Sequence, residues 1–285
     1  MNLIDSWELN LVLYLITNVV FLQSYKAAVK NAINESAAAV TLQMVAGLAA
    51  LVIAPFMVFQ WPVSISTYLL LGVAIVFYAI NDRLQVTVRR NLDVSVYSII
   101  GQGYTALLFV FGLVIFGESV TATQTLGAVI VLSAISLLFV GKSQSKTANS
   151  KYLLLAVFVQ LIFAIAITVD VGISEEFNLS VYIAITLIAP AILIALQGRT
   201  RLPQVQRELR VNPRMYLVSG ISWTLTIIFS LRAFQLGEVV VVAPLQAIAV
   251  LLNVVVASFI YKERSDLPRR LLASGGVITG AFLLV

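Results

Sequence analysis

Long apolar runs alternate with short polar connectors along the whole chain. From Ser36 to Asn81 there is no charged residue, and only the turn around Gln60-Trp61-Pro62 divides the run. About 20 apolar residues span the hydrocarbon of a bilayer, and in lipid a chain must satisfy its own backbone, so each run predicts one spanning helix. The pattern predicts ten: Leu9–Val29, Ala37–Phe59, Ser66–Gln85, Val94–Phe116, Thr121–Val140, Tyr152–Val171, Ser180–Gln197, Met215–Phe234, Val239–Tyr261 and Arg269–Val285. Turn and breaker residues sit between them, as in Gly117-Glu118-Ser119, Asn212-Pro213, Gly237-Glu238 and Ser265-Asp266-Leu267-Pro268.

Composition changes the picture little: 60% hydrophobic and 11% charged residues in 285 leave no room for a separate soluble catalytic domain. The chain has no cysteine and no histidine, which excludes disulfides, thiolate chemistry and imidazole proton relays. The N-terminus lacks the basic flank of a signal peptide, so the first run is expected to stay as a helix.

Charge then sorts the connectors. Of 18 Lys and Arg, all but Arg232 fall in the connectors that follow the first, third, fifth, seventh and ninth helices or in the helix ends beside them. The positive-inside rule puts those connectors in the cytoplasm and both termini outside. The net charge of +5 is accordingly read as lipid-facing, with no nucleic-acid partner.

Five helices lie on each side of a polar run, which divides the chain into a first repeat at 1–140, a linker at 141–151 and a second repeat at 152–285. An offset of 145 residues matches acidic Glu118 with Glu263 and Asp93 with Glu238 at the ends of corresponding helices. An odd number of spans inverts the second repeat relative to the first. The expected fold is therefore an all-α integral membrane protein, ten transmembrane helices as two inverted five-helix repeats around a central cavity. Such repeats are the architecture of alternating-access transporters.

The segment Phe116-Gly117-Glu118-Ser119-Val120-Thr121, with Gln124, Gly127 and Ala128 behind it, resembles the join of the fourth and fifth helices in the drug/metabolite transporter superfamily, EamA-type. Tyr261-Lys262-Glu263-Arg264-Ser265, followed by Gly275-Gly276 and Gly280, is similar to the same join in the second repeat. The resemblance covers essentially the whole chain. It implies a permease or exporter of small metabolites, amino acids among them, with helices one, three, four, six, eight and nine around the cavity. It also implies cytoplasmic termini, against the charge count, and a basic stretch between helices two and three that this chain lacks.

Polar groups in lipid are costly unless they face a cavity or a partner helix. The expected substrate-binding residues are Asn18, Tyr78, Gln102, Tyr104, Gln160, Trp223, Gln246 and Asn253, with Lys26, Asp170 and Pro244 in gating or coupling. The competing reading of each amide is an interhelical hydrogen bond. Trp223 aligns with Tyr78 at the 145 offset, as an aromatic clamp or as packing. The expected cargo is a small polar or zwitterionic metabolite, amino acid-like by preference, with a proton as the candidate coupling ion. No metal or cofactor is expected, and the protein is expected to work as a monomer or homodimer. Paired carboxylates or a nucleophile with its base at bilayer depth are missing, which argues against an enzyme. A non-transporting receptor or assembly subunit is the alternative.

Overall fold

The computed structural model describes residues 6–56, 60–104, 107, 111, 121–137, 150–237, 242, 245–262 and 267–284. These residues form helices and connectors, with no strand among them. The α-helices are α1 (Trp7–Val29), α2 (Glu35–Ile53), α3 (Ile65–Asn91), α4 (Val94–Gly101), α5 (Ala122–Ser136), α6 (Ser150–Ile173), α7 (Leu179–Gln197), α8 (Leu202–Val211), α9 (Pro213–Leu236), α10 (Ile248–Ile260) and α11 (Leu267–Leu284). Single 3-10 turns follow α2 at Ala54–Phe56 and α6 at Ser174–Glu176.

Six of the described helices are long and apolar enough to cross a membrane, namely α1, α2, α3, α6, α7 and α9, and α5 and α10 are shorter apolar helices. Their surfaces are turned inside out relative to a soluble bundle. Val52, Leu69, Leu154, Phe259 and Leu272 are exposed, while Asn10, Gln43, Asn81, Asp82, Arg89 and Gln160 are buried. Water penalises the first set and lipid the second, so the arrangement suits a hydrocarbon solvent. The fold is that of a multi-pass helical membrane protein.

Local sequence sets the helix ends. Ser6 caps α1 by accepting from the Leu9 amide at 3.1 Å, and Asn34 caps α2 from the Ala37 amide at 3.0 Å. Thr121 and Gln124 form a reciprocal capping box at the start of α5. The most extensive packing joins α1 to α9, α5 to α11, α2 to α7 and α3 to α6, with α2 also against α9 and α3 against α7. Small residues allow the closest of these approaches. A Cβ on Gly127 would stand 2.7 Å from the Gly280 carbonyl, and one on Gly276 would stand 2.8 Å from the Ala134 Cβ, so α5 and α11 meet nearly backbone to backbone.

Besides breaks in α4 and before α10, two elements differ from expectation. α3 runs on to Asn91, six residues past the expected end at Gln85, and carries Asp82 and Arg89 inside the helix. The charged stretch before α9 folds into the short helix α8, whose Val205 and Leu209 pack on the core. Glu208 of α8 is 1% exposed; it accepts from the amides of Ile33 and Asn34 at 3.0 and 3.2 Å and from the Tyr216 hydroxyl at 2.9 Å. The carboxylate thus fastens α8 to the α1–α2 connector and to α9. Hydrogen bonds to a charged group contribute about 1.5–3 kcal/mol each before they couple, so Glu208→Ala is expected to lower the unfolding free energy by about 3 kcal/mol and Tyr216→Phe by about 1 kcal/mol. Detergent-micelle unfolding curves check both, and equal midpoints for wild type and Glu208→Ala exclude the fastening role.

Candidate functional site

A cavity of about 290 Å³ lies among α1, α3, α4, α6, α7, α9 and α10. The resemblance named six of these helices, and α7 joins them through Tyr182, Ile183, Thr186 and Leu187. Most of the wall is apolar and aromatic, with a few polar groups converging, the usual character of a small-molecule site.

Asn18, Tyr78, Gln102, Tyr104, Gln160, Trp223 and Gln246, together with Asp170, all line this cavity. Trp223 stacks on Phe21 with ring centroids 4.5 Å apart, while Tyr78 and Tyr104 each meet Phe163 edge-on. Gln160 donates to the Tyr97 hydroxyl at 3.3 Å. Gln246 accepts from the Ser230 hydroxyl at 3.1 Å, which tethers the segment just before α10 to α9.

Asn253 and Lys26 stand off the cavity. Asn253 is fully buried, donates to Asn18 Oδ1 at 3.0 Å and to the Ala249 carbonyl at 2.8 Å, and accepts from Gln23 at 3.3 Å. It joins α1 to α10. Lys26 donates through Nζ to the carbonyls of Arg90 and Leu92, at 3.1 and 2.6 Å, and so caps the C-terminal end of α3. Pro244, Glu118, Glu263 and Glu238 lie outside the described residues.

Asp170 is held by both oxygens. Tyr78 of α3 donates to Oδ2 and Tyr182 of α7 donates to Oδ1, so one carboxylate ties three helices together at one end of the cavity. Two further ties lie nearby: Thr67 Oγ1 donates to Glu176 at 3.0 and 3.1 Å, and the Asn178 amide donates to the Gln60 carbonyl at 2.8 Å. Tyr182, Ile173, Phe177 and Leu71 pack as a separate apolar cluster over that end.

Asp82, Gln85, Arg89, Asn81 and Tyr97 belong to the site although sequence reasoning passed them over. Tyr78, Asp82, Gln85 and Arg89 recur at steps of four, three and four along α3, one face of a helix, and all four line the cavity. That spacing was the available signal.

The helix walls are broken at two places. α4 leaves its ladder at Gln102 (φ −76°, ψ −5°), where the Gln102 amide donates back only three residues, to Ile99, at 3.2 Å. α10 begins beyond Ala247 (φ −64°, ψ −18°), whose carbonyl accepts from the Val250 amide at 3.0 Å. Gly101, Gln102, Gln246 and Ala249 flank the two breaks and face the cavity.

The class this defines is a multi-pass helical membrane protein with a largely apolar cavity, bearing a few polar groups, among seven of its helices. No family model and no curated protein matches the chain. Nineteen solved chains do match in structure. One of these, described only as "Crystal structure of protein", superposes with a TM-score of 0.59 over 97% of this chain and 97% of its own, at 10% identity. At that identity the likeness shows the fold alone.

Proposed function

We propose that the protein is a secondary transporter of the drug/metabolite transporter kind, an exporter, in which two inverted five-helix repeats rock about the central cavity. The observation that carries this reading is the pair of helix breaks. Gln102 and Ala247 are 145 residues apart, the same offset that aligns the acidic pairs in the sequence. Irregular backbone at bilayer depth is tolerated where it lines a cavity, and matched interruptions in two halves point to a substrate site between them.

The packing supports the same symmetry. Exchanging each helix of the first half for its counterpart in the second turns the α1–α9 contact into α6–α3 and the α2–α9 contact into α7–α3. The pairs α2–α7, α4–α10 and α5–α11 map onto themselves. All of these contacts occur. Two arrangements related by such an exchange have similar energies, which is what alternating access needs.

The cargo is a small zwitterion or polar metabolite, amino acid-like by preference. Gln102, Gln160 and Gln246 supply neutral hydrogen-bonding groups, and Trp223 and Tyr104 supply flat apolar surface. The Asp170 cluster serves as a gate at one end, with its carboxylate as the candidate site for a coupling proton.

Purified protein in liposomes is expected to exchange internal for external radiolabelled amino acid, and Trp223→Ala or Gln102→Ala to slow the exchange about tenfold, the effect of losing roughly 1.4 kcal/mol of binding. No flux of any amino acid, nucleoside or sugar with folded wild-type protein would leave the non-transporting receptor as the better reading.

A further inference from the structure

Two charges on α3, Asp82 and Arg89, are buried in the cavity wall and form no ion pair among the described residues. Arg89 is 7% exposed. Its Nε donates to Gln85 Oε1 at 3.0 Å, and its guanidinium carbon lies 5.1, 4.5 and 4.2 Å from the ring centres of Phe21, Tyr25 and Tyr97. Those rings steady the cation through their faces. They leave its forked terminal nitrogens open, since neither donates to an acceptor among the described residues. Asp82 is 6% exposed, and it accepts through Oδ1 from the neighbouring Asn81 at 3.1 Å, while Oδ2 accepts from no described donor. Asp170 is different, because two tyrosines occupy its oxygens.

Arg89 and Asp82 do not form an ion pair with each other, and both line the same cavity. A buried charge without a direct ion pair is costly to a fold, and two of opposite sign on one helix face present a fixed dipole to the cavity. A guanidinium with its fork free matches a carboxylate through two parallel hydrogen bonds. A free carboxylate oxygen accepts from an ammonium.

Spacing limits the length of what can bridge them. Seven residues of helix advance about 10.5 Å, and the longer arginine side chain leans back toward the N-terminal side, which shortens the gap. Subtracting two charge-assisted hydrogen bonds of about 2.8 Å leaves roughly 5 Å or less between the ligand's own charges. We infer that the cavity takes a short zwitterion, a carboxylate on Arg89 and an ammonium on Asp82 a few bonds apart, as in an α-amino acid, with its side chain against the apolar wall of Phe163, Ile227 and Leu231. This rests on the transporter reading for its use but not for its chemistry.

Binding to the full chain in detergent, followed by calorimetry, tests it. The probes are alanine and leucine; 4-methylpentanoate, which is leucine without its amine; 3-methylbutylamine, which is leucine without its carboxylate; and 8-aminooctanoate, whose charges are far apart. At least one amino acid is expected to bind about tenfold or more tighter than every other probe, since each charge-assisted contact is worth that much. In Asp82→Asn the amino acid falls to the level of the carboxylate-only probe, which itself is unchanged. In Arg89→Gln the amine-only probe is unchanged and the amino acid falls to its level. Arg89→Lys, keeping the charge but not the fork, recovers part of the loss.

One-charge probes that bind as well as leucine and alanine, tighter binding of 8-aminooctanoate, or no binding of either amino acid overturns the inference. The wild-type series decides this even if a variant does not fold. Amino acid binding without flux in liposomes removes only the transporter reading. Flux of an uncharged solute that neither amino acid inhibits removes only the zwitterion.

Discussion

Asp93→Ala is expected to lower the unfolding free energy by about 3–5 kcal/mol, because it removes the carboxylate paired with a buried guanidinium. Arg270, on the first turn of α11, is 4% exposed, and its Nη2 lies 2.6 Å from Asp93 Oδ2, with Nη1 donating to the Ser95 hydroxyl. The pair connects the start of α4 to the start of α11, elements from opposite halves of the chain. Arg270→Ala is expected to cost less. It leaves Asp93 partly solvated, at 14% side-chain exposure, and beside the N-terminus of α4, where a negative charge is favoured. The double variant Asp93→Ala with Arg270→Met is expected to recover most of the loss, since it removes both charges and keeps the bulk. Unfolding in mixed micelles with increasing denaturing detergent measures all three. If the single and double variants are equally destabilised, the loss is packing and the ion pair contributes nothing.

The helices were legible because length and apolarity are local properties. α1, α6, α7 and α9 begin and end within two residues of the expected bounds. What was missed depends on which way a helix faces, and that is a tertiary fact. Arg83, Arg89 and Arg90 read as a connector, so the expected third helix stopped at Gln85 and hid the stripe from Tyr78 to Arg89. A charge does not end a membrane helix when it points into a cavity. The same habit hid α8, whose Leu202, Val205 and Leu209 already carried the spacing of one helix face.

Asn253 and Gln246 illustrate the opposite difficulty. Both are single amides in one apolar run of the sequence, yet Asn253 is consumed by Asn18, Gln23 and Ala249, while Gln246 reaches the cavity. No property of either residue separates them, since the difference lies in what the neighbouring helix presents. The break at Gln102 had a sequence signal in its flanking Gly101 and Gly103. Its partner at Ala247 has no flanking glycine, and the pointers to it were Pro244, three residues before, and the 145-residue offset.

The second large effect is expected at the gate. Replacing both Tyr78 and Tyr182 with Phe removes the two hydroxyls that tie the Asp170 carboxylate of α6 to α3 and α7. Each such bond is worth about 1.5–3 kcal/mol, so together they can bias a two-state equilibrium by about 3 kcal/mol, or roughly a hundredfold. The chain contains no cysteine, so Ser174→Cys, at the cavity wall four residues beyond Asp170, makes a single reporter without further engineering. A membrane-impermeant maleimide is expected to label that reporter at least about tenfold faster in the double Phe background than in the parent, from one face of the membrane only. Asp170→Asn is expected to fall between them, since an amide oxygen still accepts from one tyrosine but without the charge. Labelling at the parent rate in both variants would mean that the cluster holds helices together and does not gate. Access from whichever face is reactive then also fixes the orientation of the chain, because the same end of α6 lies far from the lysine at its start, Lys151, which the charge distribution assigns to the cytoplasm.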